Sequence, residues 1–335
     1  MKKSLIALAV LAASGAALAQ SSVTIYGRVD ASVGSIDTGA GSDSKMFSGG
    51  TAGLTTPRLG FMGKEDLGGG LAATFKLEQR IDIDTGALQP TKNDENDDVS
   101  GFKAETSLGL TGGFGTVRAG RMTTSFDDVR ALSNKYNVFD SNGFTTTGYA
   151  FDKFANTAMK YASRGNSMIR YDSPSFGGVY GSASYAFDQR SDVADDQTIT
   201  SLALGYKTGG LNVAVGFQDE KTVRENTMLS ASYDFGSFAL SGGYQSGKRD
   251  AGAKENGYNL GVEVPFGAVK LSAGYAAGES KADNAESSGF ALGAKYALSK
   301  RTSLYGGYST VEIENAAGVT TKEQKLFAVG IRHDF

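Results

Sequence analysis

The stretch SSVTIYGRVDASV, residues 21–33, alternates strictly between apolar and polar side chains. Val23, Ile25, Val29, Ala31 and Val33 share one parity, and Thr24, Tyr26, Arg28, Asp30 and Ser32 share the other. Successive side chains of a β-strand point to opposite faces, so this period of two specifies a strand with one greasy and one charged face. The pattern recurs in LAATFKLEQRID (71–82), LNVAVGFQ (211–218) and AVKLSAGY (268–275). In the first of these, Leu71, Phe75, Leu77 and Ile81 oppose Thr74, Lys76, Glu78, Arg80 and Asp82.

Two kinds of connection alternate between such stretches. Short ones lie at 66–70, 111–115, 173–178, 207–210, 234–237, 265–268 and 297–300, all but the last containing glycine. Glycine supplies the positive φ that a tight hairpin needs. Longer polar ones cover about 34–55, 83–100, 123–164, 189–195, 220–225, 247–255, 278–287 and 313–323. Seven tight turns and eight longer loops separate sixteen strands of about ten residues. Strands of that length span a bilayer when tilted, and short turns on one side with long loops on the other describe an outer-membrane barrel. A soluble sandwich or propeller would also alternate. Sixteen uniform strands with loop lengths sorted to one side argue for the barrel.

Composition agrees. Mean hydropathy is only −0.23 and, after the first twenty residues, no apolar run nears the roughly 18 residues of a membrane helix. A barrel needs no such run, because only alternate residues face lipid. The start, MKKSLIALAVLAASGAALAQ, has Lys2 and Lys3, an apolar run and Ala17-Leu18-Ala19. These are the parts of a secretory signal peptide, expected to be removed after Ala19. The barrel domain is then 20–335, with 31 basic and 36 acidic residues and a formal charge of −5.

The stretch LFAVGIRHDF, 326–335, puts Phe327, Val329, Ile331, His333 and Phe335 on one, lipid-facing parity. An open sheet edge in lipid leaves backbone groups unpaired, so this strand is expected to pair with the first, near 22–33. On the same parity logic, an arginine at Val29 should cost about 2–4 kcal/mol near the midplane. One at Ser32, on the lumen face, should be tolerated.

These motifs resemble the general, non-specific diffusion porins of Gram-negative bacteria, in particular the β-proteobacterial branch. The resemblance is carried by SSVTIYGRVDASV (21–33), PRLGFMGKEDLGGGLAATFKLE (57–78), GFGTVRAGR (113–121), SMIRYDSPSFGG (167–178) and VGIRHDF (329–335). It implies a sixteen-stranded antiparallel barrel, assembled as a homotrimer, with its third loop folded into the lumen. It also implies passive diffusion of small hydrophilic solutes and ions, and a terminal Phe335 that is read by the outer-membrane assembly machinery.

Sixteen strands enclose an aqueous channel, and whatever narrows it sets selectivity. The longest loop, about 123–164, carries Asp127, Asp128, Asp140 and Asp152 with Arg130, Lys135 and Lys153. Parity puts Arg28, Arg58, Lys76, Arg80 and Arg118 in the lumen. An acidic loop facing a basic wall gives a transverse field that salt weakens. In anion-preferring relatives an arginine cluster lines the eyelet, and Arg58 and Arg164 match two of its positions. The third falls at FKAETSLGL (102–110), where Ala104 stands beside Lys103 and Glu105. The expectation is therefore a weak anion preference.

Other functions are poorly supported. There is no cysteine, and the one histidine, His333, sits on the lipid parity, so neither an enzyme nor a metal centre is expected, and no cofactor. GLTGGFG (109–115) lies at a turn with no lysine and no following helix, which excludes a phosphate loop. No basic–aromatic patch suggests nucleic acid. A substrate-specific channel or a surface adhesin on the same barrel stays open. The acidic run NDENDD (93–98) reads as a solvated loop, or as a place where divalent cations bridge to lipopolysaccharide phosphates.

Overall fold

The computed structural model describes residues 22–49, 52–92, 98–135, 161–187, 197–250, 252, 254–281 and 284–335. The strands are β1 (Ser22–Asp37), β2 (Ser42–Phe47), β3 (Arg58–Gly68), β4 (Leu71–Arg80), β5 (Thr91–Lys92), β6 (Asp98–Val99), β7 (Glu105–Gly112), β8 (Gly115–Thr123), β9 (Arg164–Asp172) and β10 (Val179–Ala186). They continue as β11 (Ile199–Thr208), β12 (Leu211–Glu220), β13 (Arg224–Asp234), β14 (Ala239–Arg249), β15 (Lys254–Phe266), β16 (Val269–Ser280), β17 (Glu286–Ala297), β18 (Thr302–Glu314) and β19 (Thr320–Asp334). One helix, α1 (Ser125–Ser133), comes after β8.

All but β5 and β6, a small hairpin of their own, form one antiparallel sheet of 17 strands that closes on itself. β2 and β3 share one position, because β2 pairs with β1 from Ser32 to Asp37 and β3 pairs with β1 from Ser22 to Arg28. The sheet is thus a sixteen-position barrel whose second position is interrupted. All seven short turns join neighbouring strands at one end of the barrel. The strands vary more than the expected ten residues, from 16 in β1 to 6 in β2. Several run on into stretches that read as loops, so that only 221–223 connects β12 to β13.

The expected closure is present. β1 pairs with β19 from Arg28↔Asp334 to Asp37↔Lys325. The Gly27 amide donates to the Phe335 carbonyl at 3.1 Å, and the Phe335 amide donates to the Gly27 carbonyl at 3.0 Å. Gly27 is required here, since a Cβ would lie 2.3 Å from Phe335 Cζ. Val29, Val33, Phe327, Val329, Ile331 and Phe335 all face outward, as parity demands.

The interior holds no single core. Three small apolar clusters instead pin inward segments to the wall. Of the loop expected at 34–55, residues 34–37 and 42–47 are strand, and beyond β2 the chain turns inward. There Ala52, Gly53, Thr55 and Thr56 are buried. This segment lies over β1, and the Ser32 hydroxyl donates to the Ala52 carbonyl at 2.9 Å. Ser32 is therefore only 3% exposed. The expectation that Ser32 tolerates arginine is overturned, because its lumen face is covered and has no room for a guanidinium.

Candidate functional site

The lumen is narrowed from two sides. On one, Thr124 caps α1, its hydroxyl accepting from the Asp127 amide at 3.3 Å, with Asp127 and Asp128 in the first turn. A side-chain acceptor at this position satisfies an amide that the helix leaves free, and acidic residues there favour the helix dipole. Two further amides are met by the barrel: Ser125 donates to Ser184 Oγ at 3.2 Å and Phe126 to Ser201 Oγ at 2.7 Å. Phe126, Val129 and Leu132 lie on the face turned to the wall and pack with Ala214 and Met228. Gly216 makes the close approach possible, since a Cβ there would sit 3.1–3.2 Å from Val129 and Phe126 atoms. At the other end Asn259 Nδ2 donates to the Ser133 carbonyl at 3.1 Å. The returning chain is held on β12, where Gln218 Nε2 donates to the Ala162 carbonyl at 3.0 Å. On the opposite side, the segment 52–57 covers β1 and the β18–β19 wall.

Register explains the charges of the wall. Directly opposed side chains share a face. Arg28, Arg58 and Arg80 are opposed in turn across β1, β3 and β4. Glu78 is opposed to Glu105 across β4 and β7, and Arg118 to Arg170 across β8 and β9. Like charges so placed repel, and groups between them offset this. Lys76 lies 3.7 Å from Glu78 and 2.8 Å from Glu105. Asp172 lies 2.9 Å from Arg118 and 2.6 Å from Arg170. Arg118 also reaches Glu105 at 3.1 Å, Arg58 reaches Glu78 at 3.2 Å, and Arg28 reaches Asp334 at 3.2 Å. The Tyr26 hydroxyl donates to the other Glu78 oxygen at 2.8 Å.

Arg28, Arg58, Lys76 and Arg118 are thus each in an ion pair with a carboxylate of the same wall. Asp128 pairs with Arg170, and the Tyr161 hydroxyl donates to Asp127 at 2.8 Å. Arg130 lies 5.4 Å from the Tyr161 ring centroid, a cation–π contact. Arg170, missed in the sequence, ties loop to wall: its Nη1 donates to the Thr123 carbonyl at 3.0 Å and the Thr124 carbonyl at 3.2 Å. Asp140, Asp152 and Lys153 lie outside the described residues, as does most of NDENDD.

A second group of cations is different. Arg164 Nε donates to the Ala104 carbonyl at 2.9 Å, and Arg121 Nε to the Lys103 carbonyl at 2.8 Å. Arg121 Nη1 donates to Asn166 Oδ1. Among the described residues, Lys103, Arg121 and Arg164 form no close ion pair, and the Asp82 and Asp98 carboxylates act on Lys103 from farther off. Burial, with the Arg80 and Arg121 guanidiniums nearby, holds the Lys103 ammonium below the usual lysine range. Arg121 stands at a register break between Gly120 and Met122, so simple parity from Arg118 does not place it. The only signal in the sequence was the neighbouring Gly120, whose φ is +132°.

A closed barrel, narrowed by an inward helix-bearing loop and walled by charged side chains, defines a membrane channel. The chain belongs to the Gram-negative porins: the model of that family matches residues 5–316. It is an outer-membrane protein of the β-proteobacterial kind. It is similar to outer membrane porin protein 32 of Delftia acidovorans, 38% identical over 99% of this chain and 95% of the relative. It is also similar to the major outer membrane protein P.IB of Neisseria lactamica, 31% identical over the full length of both. Among solved structures, the anion-selective porin from Comamonas acidovorans superposes with a TM-score of 0.79 at 30% identity, covering 94% of this chain and all of that one. In-vitro folded OmpT of Vibrio cholerae, at 16% identity and a TM-score of 0.68 over 94% and 98% of the two chains, shares the fold alone.

Proposed function

We propose that the barrel is a general diffusion pore for small hydrophilic solutes and ions with a weak anion preference. One observation carries the sign: Arg121 and Arg164 donate to neutral oxygens, whereas Arg28, Arg58, Lys76 and Arg118 are matched by carboxylates. A residual positive potential raises the local anion concentration in a low-dielectric neck. The anion-selective porin from Comamonas acidovorans supports the same sign. The preference is weak because Ala104 replaces one basic position of the family's eyelet and because Glu78, Glu105 and Asp172 share the wall. Arg28, Arg58, Lys76, Arg80 and Arg118, with Asp127, Asp128 and Asp140 on the loop, complete the lining in this reading.

The same proposal includes cleavage after Ala19, a homotrimer seated among outer-membrane lipid and lipopolysaccharide, and recognition of Phe335 by the assembly machinery. The outward side chain of Phe335, at an edge that has to be paired last, supports that role. The test is the zero-current potential of the purified porin in a planar bilayer under a tenfold KCl gradient. A potential of the sign set by chloride is expected, and a clear cation preference refutes the reading.

A further inference from the structure

Three of the like-charged pairs of the wall are not treated alike. Glu78 and Glu105 are bridged by a cation, Lys76, and Arg118 and Arg170 by an anion, Asp172. Between Arg28 and Arg58 the shared group is neutral. Thr55 Oγ1 accepts from Arg28 Nη1 at 3.2 Å and from Arg58 Nη2 at 3.3 Å. A hydroxyl oxygen has two lone pairs and can take both donors without cancelling either charge.

Thr55 is itself firmly placed. Its amide donates at 2.9 Å to Asp30 Oδ2, a fully buried carboxylate that also accepts from the Tyr305 hydroxyl. Beside it the Ser32 hydroxyl holds the Ala52 carbonyl, and Arg58 Nε donates to the Thr56 carbonyl at 3.2 Å. Gly53 lets the segment lie against Asp30, since a Cβ there would be 2.8 Å from Asp30 Oδ1. The segment 52–57 is thus a strap fixed to β1, with one hydroxyl pointing at two arginines.

We propose that Thr55 is a positioning residue for ion selectivity, which holds the Arg28 and Arg58 guanidiniums side by side through one shared neutral acceptor. Without the shared acceptor, each guanidinium is held by its carboxylate alone, Arg28 by Asp334 and Arg58 by Glu78, and the two like charges move apart, so that the positive focus between them is lost. The sign of the expected change rests on the anion-preferring reading of the pore; the existence of a change does not.

The test compares Thr55→Val, which keeps the shape and the amide bond to Asp30, with Thr55→Ser, which keeps the hydroxyl. Zero-current potentials are read in planar bilayers at low salt. Thr55→Val should lower the chloride-to-potassium permeability ratio about twofold relative to the unmodified porin, since the two like charges are no longer held together. Thr55→Ser should match the unmodified porin. A ratio unchanged in Thr55→Val overturns the proposal, and so does a Thr55→Ser variant that shifts as far as the valine. Thr55→Ala is the second hydroxyl-free variant, used where the valine does not yield a heat-modifiable barrel; it must shift the same way, and an unmoved ratio again overturns the proposal. A cation preference in the unmodified porin would refute the proposed function while leaving the difference between variants a valid test here.

Discussion

Replacing Arg164 with glutamine removes one charge from the cluster of Lys103, Arg121 and Arg164 while keeping a donor for the Ala104 carbonyl. An ion passing about 10 Å away, at an effective dielectric near 20, feels roughly 1.7 kcal/mol from that charge before screening. With a Debye length of about 10 Å at 0.1 M salt, about 0.6 kcal/mol remains. That is about threefold for each ion, so chloride loses threefold and potassium gains threefold, and the permeability ratio falls by up to roughly eightfold. The assay is the zero-current potential across a planar bilayer at a mean of about 0.1 M KCl, repeated near 1 M, where the Debye length shrinks to about 3 Å. The difference from the unmodified porin should largely vanish at the higher salt. A ratio that does not fall at 0.1 M, or a difference that survives at 1 M, refutes the electrostatic reasoning.

Asp172→Asn removes the anion bridging Arg118 and Arg170, and Arg170 is only 4% exposed. Breaking a buried pair costs about 3–5 kcal/mol, but Arg170 retains Asp128 and two carbonyls and Asp172 is partly exposed, so about 2 kcal/mol is expected. The guanidinium midpoint in detergent should drop accordingly, and an unmoved midpoint would contradict the bridging role. Because the folded environment depresses Lys103, its charge is present at neutral pH and is lost as pH rises, before the ordinary lysine value of about 10.4 is reached. Anion preference should therefore decline on the alkaline side in the unmodified porin and hold in Lys103→Arg, as read from zero-current potentials across a pH series.

The barrel was legible because its rule is local: Val23, Ile25 and Val29 alternate with Thr24, Tyr26 and Arg28 whatever the rest of the chain does. The closing pair was legible from the same parity in Phe327, Val329 and Ile331. What parity could not supply was register. That Arg58 opposes both Arg28 and Arg80, or that Glu78 opposes Glu105, depends on how far each strand slides, and a charge's worth depends on that neighbour. The shared parity of Arg28, Arg58, Lys76 and Arg118 could be read; the carboxylates beside them could not be assigned as partners. Arg121 escaped because a register break defeats a simple count of two. The strap at 52–57 escaped because the small and polar residues of AGLTTP look like any surface loop until a buried Asp30 is found beneath them. The helix α1 was hidden within a long polar stretch, where nine residues are too few to announce a period of 3.6.

The bond between Gly27 and Phe335 has a kinetic meaning as well as a geometric one. Every other barrel pairing joins strands close in the chain, but this one joins residues about 300 apart, and closing so long a loop costs roughly 5 kcal/mol in chain entropy. A sheet that has formed all but this seam exposes two full edges, each a template for pairing with the wrong strand. The seam is therefore a late, slow step on the way in and a high barrier on the way out. A porin so built resists unfolding by rate more than by depth of its free-energy well, and a defect along β1 or β19 should show first in how long the closed barrel survives.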